Sequence, residues 1–265
     1  MSRLSAVVRA YPVTLFLLVA FAWSWTVWMV GDFLGHGGSE WLMLPYAWGP
    51  LIAAITVTTL AGHDLRQWAA QLRPQPGVGV RWYGLALIVP FLLIQTPELL
   101  AWALGYELTL VDPAGLLREF LIVLLLAGAL EEPGWRGFMQ PRLQERWSGL
   151  VGALVVGVGW ALWHVPIVAG GGFGYQGDEW VLFFIVLPLF SVVMAWIYNS
   201  TRGGLVFVML FHAMINVTPV IETDGAVAGG VSQLVVLIGI PLVIVLYHGP
   251  RYLATTRPEP PIPGT

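Results

Sequence analysis

The stretch Leu121–Gly137 reads LIVLLLAGALEEPGWRG, so a charge-free apolar run ends directly on two glutamates that are followed by an arginine. Such a run is typical of a helix that crosses a membrane, where every backbone polar group must be satisfied internally. The remaining chain has the same character: of its 265 residues 57% are hydrophobic and 10% are charged, and the mean hydropathy is +0.77. We therefore predict an all-α polytopic membrane protein.

The residue types that are missing exclude several kinds of chemistry. There is no cysteine, which excludes disulfides, thiolate metal sites and a cysteine nucleophile. All twelve basic residues are arginine, so a Ser/Lys catalytic dyad is excluded as well. The net charge of -3 is small and no run of like charges occurs, so we expect no nucleic-acid partner.

Eight apolar runs approach the roughly 20 residues that a helix needs to cross the hydrocarbon core. They are Pro12–Val30, Trp41–Ala61, Trp82–Leu104, a fourth that begins at Gly115, Gly149–Ala169, Trp180–Tyr198, Gly203–Val220 and Val231–Tyr247. The connectors alternate in arginine content, and Arg118 alone breaks the alternation, with Glu98 as its expected ion-pair partner. By the positive-inside rule we expect about eight transmembrane helices in the cell inner membrane, with both termini cytoplasmic.

Apart from the tail, the chain is expected to form one domain. Residues 1–256 would be a single transmembrane domain, and the proline-rich residues 257–265 a disordered tail. Between the second and third runs, Asp64–Leu72 places Trp68 and Leu72 on one helical face. This pattern favours a short amphipathic helix in the membrane interface, with a solvated connector as the alternative.

Glutamate and arginine side chains interrupt the fourth run. Ionisable residues inside a membrane are costly, which makes them functional candidates. Glu132 and Arg136 are four residues apart and can neutralise each other on one helical face, while Glu131 points about 100° away. This spacing suggests one structural and one chemical carboxylate.

Two other runs also carry polar groups at a spacing of four residues. Trp160 and His164 share a face of the fifth run, and His212 and Asn216 share a face of the seventh. Taken alone, such residues more often form interfacial ion pairs or hydrogen bonds between helices. Their joint occurrence on three helices favours one shared, buried site.

The ordered motifs EExxxR, FxxxH and HxxxN resemble those of the CaaX-processing/bacteriocin-processing (Abi-type) family of membrane peptidases. The residues that match them are Glu131, Glu132 and Arg136, then His164, and then His212 and Asn216. Trp160 stands where the family usually has Phe, which preserves an aromatic packing role. The resemblance covers residues 115–220, which would form the catalytic core.

The resemblance implies an intramembrane endopeptidase. The roles that it assigns are water activation by Glu131 and His164, oxyanion stabilisation by His212 and Asn216, and placement of Glu132 by Arg136. Expected substrates are peptides or proteins associated with the lipid bilayer, and prenylated CaaX sequences are one candidate. The Gly-x-Ser-Gly and Gly-x-Gly-Asp motifs of other intramembrane proteases are missing.

Two alternatives use the same residues differently. In one, Glu131, His164 and His212 bind a divalent metal such as zinc. Asn216 suits that set poorly, and the HExxH motif of zinc peptidases is missing. In the other, the pocket belongs to a non-catalytic immunity or scaffold protein, or to a protein that translocates protons or solutes.

The peptidase interpretation requires a long fourth helix. If this helix ended at Arg136, Glu131 would lie near one membrane face and His164 near the other. We therefore expect the helix to continue past Arg136, with a kink at Pro133–Gly134. Glu131, His164 and His212 would then converge on one cavity.

Overall fold

The computed structural model describes residues 3–37, 39–170, 180–217, 219–223 and 229–255. The expected tail at 257–265 lies outside these residues. The helices of the first half are α1 (Arg3–Ala10), α2 (Pro12–Phe33), α3 (Glu40–Ala47), α4 (Gly49–Leu60), α5 (Leu65–Ala69) and α6 (Arg81–Ala103). Those of the second half are α7 (Pro113–Leu126), α8 (Glu132–Gly134), α9 (Gln140–Gln144), α10 (Gly149–Trp163), α11 (Val165–Ala169), α12 (Trp180–Ser200), α13 (Leu205–Val217) and α14 (Gly229–His248).

The helix lengths and compositions confirm the all-α membrane class. Within the described residues, five segments are long and apolar enough to cross a membrane: Pro12–Phe33, Trp41–Leu60, Arg81–Ala103, Pro113–Gln144 and Trp180–Ser200. Shorter apolar helices occupy Gly149–Trp163, Leu205–Val217 and Ser232–His248. All eight apolar runs of the sequence are thus helical, and the number of complete spans and the orientation of the termini stay predictions.

The fourth segment is one long helical stretch that changes its winding. Pro113–Gln144 covers 32 residues, so the expected continuation past Arg136 is confirmed. The backbone departs from helical angles at Ala127, with φ -127° and ψ -125°, and continues as a 3-10 turn over Gly128–Glu131. After α8, a π-helical turn spans Trp135–Met139.

The kink expected at Pro133–Gly134 stays a prediction, and the departure from helical angles lies earlier, at Ala127. Pro133 follows the 3-10 turn as the second residue of α8, where the winding of the segment changes. Gly134 packs directly on α4, and a Cβ there would come within 2.5 Å of the Pro50 carbonyl oxygen. Close helix contact therefore explains this glycine.

Two connectors form a small antiparallel ribbon that the sequence does not predict. Its strands, β1 (Leu108–Leu110) and β2 (Ile221–Thr223), pair with Leu108 opposite Thr223. Gln95 of α6 fixes β2, since its side-chain oxygen accepts from the backbone N–H groups of Val220 at 2.6 Å and Ile221 at 2.7 Å. The ribbon thus ties the connector after α13 to α6.

The expected ion pair between Glu98 and Arg118 is wrong. Glu98 accepts a hydrogen bond from the Thr223 hydroxyl instead. No salt bridge joins Glu98 to Arg118, both of which lie in the described part of the chain. The ribbon supplies Glu98 with its partner by bringing β2 next to α6.

The amphipathic segment after α4 is helical, and one of its faces packs on the protein. It consists of α5 and a 3-10 turn over Ala70–Leu72. Trp68 and Gln71 are 4% and 3% exposed, whereas Leu72 is 42% exposed. One face of the segment, with an indole and a polar amide, thus finds partners on the fourth segment, and its placement in the membrane interface stays a prediction.

Candidate active site

The two glutamates of the fourth segment lie where its winding changes. Glu131 ends the 3-10 turn and Glu132 begins α8. Both carboxylates are buried, and Arg136, one turn further along, has no exposed surface. Three ionisable side chains therefore lie inside the protein within six residues of sequence, an arrangement that is stable only when the charges are paired.

Glu132 is the carboxylate that is paired. Its Oε1 accepts from Arg136 Nη1 at 3.0 Å, as the four-residue spacing predicts, and from His212 Nδ1 at 2.6 Å. The sequence does not predict the bond to His212, because spacing along one helix carries no information about a partner on another. One carboxylate oxygen thus joins the fourth segment to α13.

A glycine makes room for the His212 ring. A Cβ at Gly128 would lie 2.7 Å from His212 Nε2. Since a carboxylate can only accept, the Nδ1 nitrogen carries the proton in the bond to Glu132. The opposite nitrogen, Nε2, therefore faces the 3-10 turn that leads into Glu131.

Glu131 has a partner of a different kind. Its Oε2 accepts from the indole Nε1 of Trp160 at 2.7 Å. The sequence predicts only a packing role for Trp160, because Phe is usual at the equivalent family position. The feature of the sequence that could have indicated the donor role of Trp160 is its indole N–H, because a buried indole N–H normally finds an acceptor.

The Trp160 ring is the common neighbour of the site residues. Its centroid lies 5.3 Å from that of His212, 5.9 Å from that of His164 and 4.8 Å from Arg136 Cζ. Together with the Glu131 hydrogen bond, these contacts gather groups from three helical segments around one indole. The convergence expected of Glu131, His164 and His212 thus takes the form of a cluster around Trp160.

His164 caps the end of α10 and begins the short helix α11. Its Nδ1 lies 2.8 Å from the carbonyl oxygen of Trp160, which can only accept, so Nδ1 is the donor. The neutral ring then has its lone pair on Nε2. The rings of Trp163 and Phe183 lie 4.7 Å and 5.2 Å from the imidazole and restrict its orientation.

A second layer of hydrogen bonds holds the end of α10. The carbonyl oxygen of Trp163 accepts from the Tyr46 hydroxyl and, at 3.0 Å, from the indole N–H of Trp25. Near the C-terminus of a helix a carbonyl lacks an intrahelical donor, which explains why side chains from α2 and α3 satisfy it. These contacts fix the backbone that positions His164.

Asn216 faces a different environment from the other candidates. Its amide Nδ2 donates to the His212 carbonyl oxygen of the preceding turn at 3.0 Å, and its side chain is exposed. It lines a depression of about 300 Å³ together with Asp112, Glu119 and Val217. The residues described around this depression include none of the other candidates, and the Asn216 side chain is linked to the cluster only through the His212 backbone.

The fit of the candidate metal ligands is poor. No group of three or more histidine, aspartate or glutamate side chains in the described residues is arranged to hold a metal ion. Glu132 Oε1 already accepts from Arg136 and His212, and a guanidinium at that position opposes a bound cation. Glu131, His164 and His212 thus form a cluster without the geometry of a zinc site.

The π-helical turn after the glutamates is stabilised by α5 and by the 3-10 turn that follows it. Pro141 has no N–H, so Gly137 loses the donor that an α-helix would supply to its carbonyl oxygen. Trp68 Nε1 and Gln71 Nε2 both donate to that oxygen at 3.2 Å. Tyr198 donates in turn to the Gln71 side-chain oxygen at 2.6 Å. Polar side chains therefore stabilise the irregular winding beneath the site.

Comparison with known proteins identifies the relatives of this chain. Residues 113–218 match the family model described as Type II CAAX prenyl endopeptidase Rce1-like. The chain is also 24% identical, over 226 residues, to CAAX prenyl protease 2 of Methanococcus maripaludis, a match that covers 78% of this chain and 83% of that protein. The family resemblance of the sequence motifs is confirmed.

These similarities establish the broad activity. The protein is a multi-pass membrane endopeptidase that acts on peptides or proteins. They favour an enzyme over the scaffold and translocator alternatives. The matched segment contains all six candidate residues.

Replacing Arg136 by methionine should destabilise the protein by about 3–5 kcal/mol, because it leaves the Glu132 carboxylate buried beside a single partner. The double change Glu132→Gln/Arg136→Met should recover part of that loss, since no uncompensated charge remains. Thermal unfolding of the purified variants in detergent measures both effects. Equal stability of the single and double variants would contradict the pairing.

The change Gln71→Met should lower kcat several-fold with little effect on KM, because it removes a donor to the Gly137 carbonyl without touching the cluster. The matched control is Gln67→Met on the adjoining helix α5, where the side chain is exposed. Steady-state peptide cleavage distinguishes them. Identical kinetics for the two variants would show that the 3-10 turn after α5 does not position the site.

Proposed function

We propose that this endopeptidase hydrolyses its peptide bond inside the membrane, with a water molecule that Glu131 and His164 activate. The observation that carries the proposal is the cluster around Trp160, in which one carboxylate is neutralised by Arg136 and His212 and a second is not part of that ion pair. This separation gives Glu132 a structural role and Glu131 a chemical one.

Glu131 acts as the general base. The Trp160 N–H fixes one oxygen of the carboxylate and so sets its plane. A carboxylate that water solvates poorly is a stronger base than one at a protein surface. It takes a proton from the water as the water oxygen attacks the peptide carbonyl carbon, and the tetrahedral intermediate forms.

His164 holds the attacking water. Its Nδ1–H is committed to the Trp160 carbonyl, so the lone pair of the neutral ring lies on Nε2 and accepts from the water. Because His164 and Glu131 bond to the backbone and the side chain of the same tryptophan, their relative placement depends on few rotatable bonds.

His212 and Asn216 stabilise the oxyanion. When both nitrogens of His212 are protonated, Nδ1 donates to Glu132 and Nε2 can donate to the intermediate, with the Glu132 carboxylate balancing the ring charge. The Asn216 amide is bonded to the His212 carbonyl through one N–H, and its second N–H would donate to the oxyanion from the exposed side. Each donor aimed at the developing charge contributes a few kcal/mol in a site that excludes water.

Collapse of the intermediate completes the reaction. The bond between carbonyl carbon and nitrogen breaks, and the proton that Glu131 took from the water passes to the leaving amine. The carboxylate is thereby regenerated, and the products are a new carboxyl terminus and a new amine. The steps are proposed without a metal ion, and the described residues contain no group of three or more histidine, aspartate or glutamate side chains arranged to hold one, which supports that choice.

The substrates proposed are membrane-associated peptides in the inner membrane. The face of α7 next to the site exposes apolar side chains, namely Leu117, Leu121, Leu125 and Leu126. Such a face suits contact with acyl chains of the bilayer or with a lipid attached to the substrate. Prenylated C-terminal CaaX peptides are the first substrates to test, because the matched protein and family model carry that description.

The change Glu131→Gln should lower cleavage of a farnesylated CaaX peptide in vesicles by about a hundredfold or more, since the amide cannot accept the water proton. Thermal unfolding should be nearly unchanged, because Gln still accepts from Trp160. Glu107→Gln, at an exposed position, is the matched control and should keep full activity.

The same pair of variants in cells identifies natural substrates. New peptide termini in the membrane proteome should occur with the wild type and the control and disappear with Glu131→Gln. Undiminished cleavage by Glu131→Gln would refute the assigned role of this carboxylate.

Chelation should leave the activity intact. Prolonged treatment with 1,10-phenanthroline or EDTA, followed by a cleavage assay, is expected to change kcat/KM less than about twofold, roughly the scatter of such an assay. Loss of cleavage that zinc restores would require Glu131, His164 and His212 to rearrange into a metal site.

A further inference from the structure

A second cavity lies away from the catalytic cluster. It has a volume of about 500 Å³ and is enclosed by the junction of α1 and α2 on one side and by the last turns of the fourth segment on the other. Residues 9–14 form the first wall, and Arg142, Leu143 and Arg146 are part of the second. The proposed mechanism assigns no role to any of these residues.

The cavity is strongly basic. Three of the twelve arginines of the chain line it, namely Arg9, Arg142 and Arg146, against one carboxylate, Glu145. His63, also in the lining, has its pKa lowered by partial burial and by the charges of Arg142 and Arg9. The positive charges therefore act on the same space, which is suited to an anion.

Two of the guanidinium groups are held in place. Arg142 donates from Nη1 to the Phe138 carbonyl oxygen at 2.8 Å, and its Cζ lies 3.6 Å from the centroid of the Phe138 ring. Arg9 donates from Nε to the Ala61 carbonyl oxygen at 2.8 Å. A guanidinium fixed in this way is well suited to phosphate, since its planar fork loses little freedom on binding.

The remaining lining changes from polar to apolar. Tyr11 and Trp147 are half or more exposed at the rim, and such residues are enriched where a membrane meets water. Val13, Val57 and Leu143 supply apolar wall. A small soluble anion would need only the arginines, whereas an amphiphile with an anionic head uses both parts of the cavity.

We propose that this cavity binds the phosphate group of an anionic phospholipid, with the acyl chains lying against the apolar wall. An anionic phospholipid suits this arginine-rich face of the protein, because anionic lipids attract basic side chains at the membrane surface. Arg142 connects the cavity to Phe138 in the π-helical turn, so a bound lipid also supports the winding on which the catalytic segment depends. The proposal is independent of the peptidase mechanism.

Lipid retention tests the proposal directly. The full-length protein is placed in nanodiscs of phosphatidylcholine with or without phosphatidylglycerol, released into detergent, and analysed by native mass spectrometry for bound phosphatidylglycerol. Arg9→Gln/Arg146→Gln removes two exposed charges from the cavity and should reduce retention about tenfold. Arg66→Gln/Arg73→Gln removes two exposed arginines elsewhere and should not reduce it.

Competition with inorganic phosphate distinguishes a site for a phospholipid headgroup from a site for the free phosphate ion. Inorganic phosphate should not displace the phospholipid, because it makes no use of the apolar wall. Complete displacement by inorganic phosphate, or equal retention by both double variants, would overturn the proposal. Thermal unfolding verifies that the variants are folded, and Arg146→Gln alone, at an exposed position, provides the same comparison if the double variant is unstable.

Discussion

The rest of the site depends on the pairing of the Glu132 carboxylate with Arg136 and His212. The carboxylate lies fully buried between Arg136 Nη1 on its own segment and His212 Nδ1 on α13. A charge in such surroundings is costly unless it is paired, so the two helices are held in the register that satisfies it. With Glu132 and Arg136 committed to each other, Glu131 is directed to Trp160 on α10. The bonds of the two neighbouring glutamates to His212 and Trp160 thus link three helical segments.

The irregular winding of the fourth segment is the second constraint. A 3-10 turn before the glutamates and a π-helical turn after them set directions that a uniform α-helix would not provide. Such departures leave backbone groups that need other partners. Pro141 offers no N–H to the Gly137 carbonyl, and Trp68 of α5 and Gln71 of the following 3-10 turn donate to it instead. The short connector after α4 is therefore part of the support of the site.

Composition and spacing along one helix are the properties that a sequence predicts well. Apolar runs indicate the helices, and the four-residue interval by itself pairs Glu132 with Arg136. Contacts between helices depend on how the segments pack, so the bond from His212 to Glu132 and the donor role of Trp160 are not predictable from spacing. Proline usually marks a kink, which is why the sequence predicts one at Pro133–Gly134, whereas the irregular angles at Ala127 have no proline to signal them.

The central claim is that Glu131, His164 and His212 act on one peptide bond. A cryo-EM structure with a phosphinate analogue of a cleaved peptide tests it most directly, because the two phosphinate oxygens imitate the attacking water and the oxyanion. The account predicts one oxygen within hydrogen-bond distance of Glu131 and His164, and the other facing His212 and Asn216. A phosphinate bound away from these four side chains, or held by a metal ion, would contradict it.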